Sequence, residues 1–279
     1  MSDFKLAGVM GWPIGHSRSP VLHSYWLKRY GIAGAYVPLA VPPERLEQAL
    51  RALPALGFVG CNVTVPHKEA VFRLVDHTDA AARRTGSVNL VIVRPDGTLE
   101  GRSTDGYGFI QNLRQAAPHW SSGRGPVVLL GAGGAARAIA AALIDAGKTG
   151  IRLVNRTDAR AAALAQELGA GLEIWPWARR AEALAGCCLL INTTVLGMDG
   201  QAALPLDLAL LPSDAIVADI VYVPLQTPML VAAHARGNTV VDGLGMLLHQ
   251  ARPAFASWFG TDPAVDDSLR QAVLENLPR

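Results

Sequence analysis

The stretch PVVLLGAGGAARAIAAALIDAG, residues 126–147, decides how the chain folds. An apolar run (Val127, Val128, Leu129, Leu130) meets glycines at 131, 133 and 134, and Ala136 completes a G-x-G-x-x-A pattern that opens an alanine-rich helical segment. A strand that turns on glycine into a helix aims the first helical N–H groups at one point. With no Cβ atoms in the way, a pyrophosphate can approach that backbone closely. A structural glycine turn followed by a solvated arginine is the plainer alternative. The strand before the turn and the basic residues after the next strand argue against it. That next strand, IRLVN, ends in Asn155, Arg156 and Thr157, where an NAD-binding unit would place a carboxylate for the ribose 2′-hydroxyl. Arg156, with Arg160 nearby, can instead hold a 2′-phosphate through charge-assisted hydrogen bonds. The reading therefore favours NADP over NAD.

Outward from this unit, strand-like and helix-like segments alternate. Downstream the series runs through LLINTT and AIVADIVY to TVVDG. Upstream it comprises LAGVM, PVLHSYWLKRY, AYVPLAV, ERLEQALRAL, GCNVTV and KEAVFRLV. Such alternation predicts an α/β fold with mostly parallel sheets covered by helices. SVNLVIVRPDGTLEGRSTD carries two extended segments around Asp96-Gly97, so one antiparallel strand is expected in the first half. After a helix near 106–117, the stretch HWSSGRGP (119–126) has a linker's composition, and composition alone puts a boundary there.

Length and composition narrow the function classes. A chain of 279 residues, 50% hydrophobic, suits two domains. No apolar run is long enough to span a membrane, and the start MSDFKLAGVMGWPIG lacks the regions of a signal peptide, so a cytoplasmic protein is expected. A net charge of +2, with both signs interspersed, offers no basic stripe for nucleic acid and no attraction to a membrane surface. Cys61, Cys187 and Cys188 show no metal-ligand spacing and read as buried thiols; no metal site is expected. Small molecules are the expected partners.

Lys68 follows a β-branched run (Val63, Thr64, Val65) and Pro66, where a helix should begin. Its ammonium would stand at a strand end, where sites form in open α/β sheets and where a lysine can donate or accept a proton. Taken alone, Lys68 would read as an ordinary surface lysine. In GWPIGHSRSPVLHSYW (11–26), Ser19 reads as a helix N-cap with Pro20 at N1, which leaves Ser17 and the turn before it available to a hydroxylated or carboxylated ligand. Asp105 in STDGYGF begins a helix, the ordinary place for an acid, and NTTVLGM (192–198) again ends a strand in hydroxyl residues. His16, His67 and Cys61 read as packing neighbours.

Assembled, these motifs resemble the shikimate dehydrogenase family almost from end to end. The points of similarity are GWPIGHSRSP, CNVTVPHKE, Val88-Asn89, TDGYGF, LGAGGAARA, NRTDAR, INTTVLGM, DIVYVPLQTP (219–228) and DGLGMLLHQA (242–251). The resemblance implies NADPH-dependent reduction of 3-dehydroshikimate to shikimate, on the route to chorismate and the aromatic amino acids. It implies Lys68 as catalytic acid/base with Asp105 as its partner. Substrate contacts fall on Ser17, Ser19, Asn62, Thr64, Lys68, Asn89, Asp105, Tyr222 and Gln250. Cofactor contacts fall on Gly131, Ala132, Gly133, Gly134 and Ala135, on Asn155, Arg156, Thr157 and Arg160, and on Thr193, Ile220, Gly243 and Met246.

The implied architecture is a substrate-binding domain of residues 1–107 completed by 240–279, a Rossmann-type NADP domain of 108–239, and a site in the cleft between them. A monomer or homodimer is expected. Two positions depart from the family pattern: Leu90 stands where threonine is usual, and Ser103 where asparagine is usual. Both adjoin expected substrate residues. The nearest alternative is a quinate or dual quinate/shikimate dehydrogenase; a more distant one is a non-catalytic regulator of the same fold. Retention of Ser17, Ser19 and the arginines favours shikimate, and the Lys68–Asp105 pair has no use in a sensor.

Overall fold

A computed structural model describes residues 4–121, 125–169 and 171–277. The chain forms two compact units, one built from residues up to Thr104 together with those from Leu248 onward, the other from Asp105–Leu247.

The first unit contains β1 (Lys5–Gly11), α1 (Ser19–Arg29), β2 (Gly34–Ala40), α2 (Leu46–Ala52), β3 (Phe58–Val63), α3 (Lys68–Leu74), β4 (His77–Thr78), α4 (Ala80–Thr85), β5 (Leu90–Val93) and β6 (Leu99–Arg102). Its sheet has the order β2-β1-β3-β5-β6-β4. Only β5 runs against its neighbours on both sides, pairing antiparallel with β3 and β6, as the Asp96-Gly97 hairpin predicts. The turn forms because Asp96 Oδ1 accepts from the amide and hydroxyl of Thr98 while Gly97 adopts a φ of 83°.

Leu46, Leu50 and Leu53 in and just after α2 pack with Val71 of α3, Ala82 of α4 and sheet residues Met10, Cys61, Val63 and Val91 in one apolar cluster. An aromatic cluster joins α1 to the C-terminal part of the chain: His23, Trp26, Tyr36, Phe255 and Trp258 lie with ring centroids 4.0–6.1 Å apart where they meet. Trp26 and Phe255 are wholly buried, and removal of either ring would cost about 3–5 kcal/mol.

The second unit begins with α5 (Asp105–Ala116), followed by β7 (Val127–Leu130), α6 (Gly134–Asp145), β8 (Ile151–Asn155), α7 (Asp158–Leu168), β9 (Leu172–Pro176), β10 (Leu189–Asn192), β11 (Ile216–Asp219), α8 (Pro228–Ala235) and β12 (Thr239–Val241). Its sheet is wholly parallel, in the order β12-β11-β10-β7-β8-β9. Every residue of β7 and β10 is buried, as expected of central strands covered on both faces. Helix α9 (Gly243–Phe259) starts in this unit and continues into the first, where α10 (Asp267–Leu274) ends the fold.

The junction does not fall at HWSSGRGP. Phe109, Ile110 and Leu113 of α5 are buried in the same cluster as Val127, Ile139 and Leu189, so the helix before that stretch already belongs to the second unit. Residues 122–124 of the stretch lie outside the described ones. Composition could not register the apolar face of α5, which decided the unit. Among the described residues, no helix is long and apolar enough to cross a membrane, and no cluster of potential ligands could hold a metal ion.

Candidate active site

In each unit the expected site residues collect at the carboxyl ends of the strands, where the strand order reverses. In the first unit that reversal lies between β1, which leads on to β2, and β3 on its other side. The segments leaving the two strands are tied together: the amide of Thr64 donates to the carbonyl of Met10, and that of Trp12 to the carbonyl of Val65. Ser17 and Ser19 follow β1, while Asn62, Thr64 and Lys68 end β3 or follow it. Because β5 runs antiparallel, the residue before it, Asn89, reaches the same edge, and Thr104 arrives there after β6.

Asn62, Asn89 and Thr104 are buried here and bonded to one another and to the half-buried Gln250. Asn62 Nδ2 donates to the Asn89 carbonyl at 3.0 Å, and Asn62 Oδ1 accepts from the Tyr36 hydroxyl at 2.7 Å. Asn89 Nδ2 donates to Thr104 Oγ1 at 3.0 Å and to Gln250 Oε1 at 3.1 Å, while Asn89 Oδ1 accepts from the Thr104 amide. The Thr104 hydroxyl also donates to the Gln250 carbonyl at 2.9 Å. Buried amides fixed at both ends cannot swing, so any ligand group meets donors and acceptors already oriented.

Lys68, half-buried, is the first residue of α3, as its position after Val63-Thr64-Val65-Pro66 predicts, and its carbonyl accepts from the Val88 amide. The helix start at Ser19 differs from expectation. Arg18 occupies the N-cap, Ser19 is the first helical residue, and the Ser17 hydroxyl accepts from the Ser19 amide at 3.4 Å. Ser17, not Ser19, thus supplies the side-chain oxygen at the helix start, because a residue already inside the first turn cannot reach back to cap it.

His67 Nε2 lies 2.7 Å from the Val41 carbonyl, a structural bond. Burial pushes the Cys61 thiol up to about 12, which leaves it inert. Cys187 is buried as expected, but Cys188 is half-buried, with its sulfur 3.5 Å from Lys148 Nζ. Leu90 is wholly buried at the start of β5 opposite Asn62, and Ser103 is buried beside Thr104.

In the second unit, β7 leads to β8 on one side and has β10 on the other, so the ends of β7 and β10 flank the reversal. Gly131 at the end of β7 has a φ of 109°, and a Cβ there would stand 2.6 Å from Thr193 Oγ1, so only glycine fits. Thr193 in turn donates its hydroxyl to the Leu130 carbonyl at 2.6 Å. Over Gly133 and Gly134, by contrast, a Cβ would meet no atom within 4 Å among the described residues, and none of their side chains caps the start of α6. Uncapped N–H groups facing open space beside small residues suit a diphosphate.

One strand over, Asn155 Nδ2 donates to the Thr157 carbonyl and shapes a turn on which Arg156, Thr157 and Arg160 are exposed. This donor set fits a dinucleotide with a 2′-phosphate. Ile220 follows β11, and a Cβ on Gly243 would stand 2.3 Å from the Ile220 carbonyl oxygen, which holds the start of α9 against that backbone. Met246 packs on the unit's core, Asn112 Nδ2 donates to the Asp242 carbonyl, and Asp105 is buried at the start of α5. Tyr222 lies in the loop after β11, half-buried.

Several residues that order these groups escaped the sequence reading. Asp219, 2% exposed, accepts from Asn192 Nδ2, the Val221 amide and the Thr227 hydroxyl, and so ties the loop carrying Thr193 to the loop carrying Ile220 and Tyr222. Burial raises its carboxyl pKa, partly offset by those donors. Tyr36, Thr104 and Asn112 were missed likewise; a polar residue within an apolar run, as in AIVAD, was the available signal.

Three protein-family models match the chain in succession: a shikimate dehydrogenase substrate-binding domain over residues 9–91, a shikimate/quinate 5-dehydrogenase over 115–195, and a shikimate 5′-dehydrogenase C-terminal domain over 243–274. A curated relative from Paramagnetospirillum magneticum, a shikimate dehydrogenase (NADP+), is 63% identical over 97% of this chain and 98% of its own length. The chain belongs to the shikimate dehydrogenase family. Among solved structures, the shikimate 5-dehydrogenase of Thermus thermophilus, in complex with NADP(H) and shikimate, matches 98% of this chain and 100% of its own, with 38% identity and a TM-score of 0.87. The quinate dehydrogenase of Corynebacterium glutamicum, in complex with NAD, matches 97% and 99%, with 30% identity and a TM-score of 0.91. The family's substrate-binding model spans Ser17 through Asn89; the second model spans the Gly131 turn, the Arg156 loop and Thr193; the third spans Gly243, Met246 and Gln250.

Proposed function

We propose that the protein is an NADP-dependent shikimate dehydrogenase that reversibly reduces 3-dehydroshikimate to shikimate, a step toward chorismate and the aromatic amino acids. The observation that carries this reading is that a chain of this family holds two pre-ordered clusters, one in each unit. One is a cluster of oriented amides and hydroxyls beside a lysine. The other is a glycine turn with open space before an uncapped helix and an arginine on the following strand.

In this reading Ser17, Ser19, Asn62, Thr64, Asn89, Tyr222 and Gln250 bind the carboxylate and hydroxyls of the substrate. Gly131 to Ala135 would hold the diphosphate of NADP, Asn155, Arg156, Thr157 and Arg160 its 2′-phosphate, and Thr193, Ile220, Gly243 and Met246 would contact the nicotinamide half. NADPH, when bound, supplies the hydride that reduces the ketone carbon. Negative charge then develops on the ketone oxygen, and a protonated Lys68 within hydrogen-bond reach stabilises and protonates it; in the reverse direction neutral Lys68 accepts the hydroxyl proton. Asp105 orients the ammonium and favours its charged form. The two would titrate as a coupled pair. We place the enzyme in the cytoplasm, as a monomer or homodimer, and divide it into a substrate-binding catalytic domain and a Rossmann NADP domain.

The test is a four-way assay of shikimate and quinate, each with NADP and NAD. Shikimate with NADP should give the highest kcat/KM by tenfold or more. Preference for quinate would reassign the substrate; no turnover with any pair would remove the enzymatic reading.

A further inference from the structure

Tyr36 sits on β2, two strands away from Asn62 on β3, with β1 between them. Its partner in the register of β1 is Ala7. The ring is 5% exposed and is held face to face by the imidazole of His23, with centroids 4.0 Å apart and planes 4° from parallel; Trp258 closes on it from another side. A ring packed this way has one position, and so does its hydroxyl.

That hydroxyl bonds to a residue of the proposed substrate cradle. Asn62 gives an Nδ2 hydrogen to the Asn89 carbonyl, which turns Oδ1 toward Tyr36; the phenol must therefore be the donor in the 2.7 Å bond. Asn62 is 4% exposed. Without the phenol, Asn62 Oδ1 loses this partner and the side chain gains alternative rotamers.

We propose that Tyr36 is a positioning residue for the substrate: through its hydroxyl it locks Asn62 in the one arrangement that binds the cyclohexene acid. This rests on the reading of Asn62 as a substrate contact. An interaction that orders both the bound substrate and the transition state appears in KM more than in kcat. Tyr36→Phe keeps the ring and its stacking, so it isolates the hydroxyl.

The test is steady-state kinetics of wild type, Tyr36→Phe, Asn62→Ala and the double variant, with the NADP Kd measured by fluorescence quenching. Tyr36→Phe should raise the shikimate KM about tenfold, change kcat less than about threefold, and leave the NADP Kd unchanged. In the Asn62→Ala background the same substitution should add less than about twofold, because the residue through which it acts is gone. An unchanged shikimate KM in Tyr36→Phe, while Asn62→Ala raises it, would overturn the role of Tyr36 and leave the site reading standing. An unchanged KM in Asn62→Ala would overturn the site reading and the proposal with it. Fully additive effects, or an equal loss of NADP affinity, would show a general structural role instead. Should Tyr36→Phe fail to fold, 3-fluorotyrosine installed at position 36 decides: a shifted shikimate KM with an unchanged NADP Kd supports the role, and an unchanged KM refutes it.

Discussion

His23 makes the stability of the first unit depend on pH in a way that can be calculated. It is wholly buried among Trp26, Tyr36, Phe255 and Trp258, and neither ring nitrogen has a hydrogen-bond partner among the described residues. Burial pushes its imidazolium down to about 3, against a smaller opposite effect of the Asn62 side chain. In the unfolded chain it titrates near about 6.5. Above that pH both states hold a neutral ring and nothing is lost. As pH falls below it the unfolded state takes up a proton that the folded state refuses, so stability declines until the folded pKa is reached. At about 1.36 kcal/mol per pH unit, the loss relative to pH 8 is about 2 kcal/mol at pH 5 and about 3 kcal/mol at pH 4.

His23→Phe keeps a flat ring against Tyr36 and removes the titration. Urea unfolding of both proteins at pH 8 and pH 5 should show the wild type losing about 2 kcal/mol more than the variant over that interval. A difference below about 0.5 kcal/mol would refute the reasoning, since it would mean that the folded protein accepts the proton on His23 as readily as the unfolded chain does.

Other perturbations follow from the proposed half-sites. Lys68→Ala should lower kcat about 10² to 10⁴-fold while leaving NADPH binding intact by fluorescence titration; near-normal turnover would exclude Lys68 from proton transfer. Arg156→Ala should weaken NADP by about 1.5–3 kcal/mol and alter NAD binding little, and equal losses by calorimetry would contradict the 2′-phosphate reading. Gly131→Ala forces a side chain into a φ of 109° and to within 2.6 Å of Thr193 Oγ1. It should destabilise the second unit by about 2–4 kcal/mol and weaken NADP at least about tenfold, and a fully stable variant would show the turn to be more adaptable than drawn.

Reading and structure agree most closely where the information is local. The Gly131 turn, the helix start at Lys68 and the Asp96-Gly97 hairpin each depend on a few neighbouring residues, whose backbone preferences and hydrogen bonds stay within the segment. The departures arise where the deciding partner is far along the chain. HWSSGRGP looked like a boundary because it is polar, but α5 joined the second unit through Phe109 and Leu113 packing with residues beyond that stretch. Ser19 looked like a cap because of its type, yet the helix began one residue earlier and Ser17 took the part.

By itself, the sequence determined the α/β alternation, the dinucleotide turn, the missing carboxylate after β8 and the family, because these are written in periodicity and in contiguous motifs. Only the tertiary structure decided which buried polar groups hold those motifs in place: Tyr36 on Asn62, Thr104 and Gln250 on Asn89, Asp219 between two loops. The reason is physical. A buried hydroxyl or carboxylate is stable only with partners, and the partners of these came from other strands and helices, tens to more than a hundred residues away, which no local pattern records.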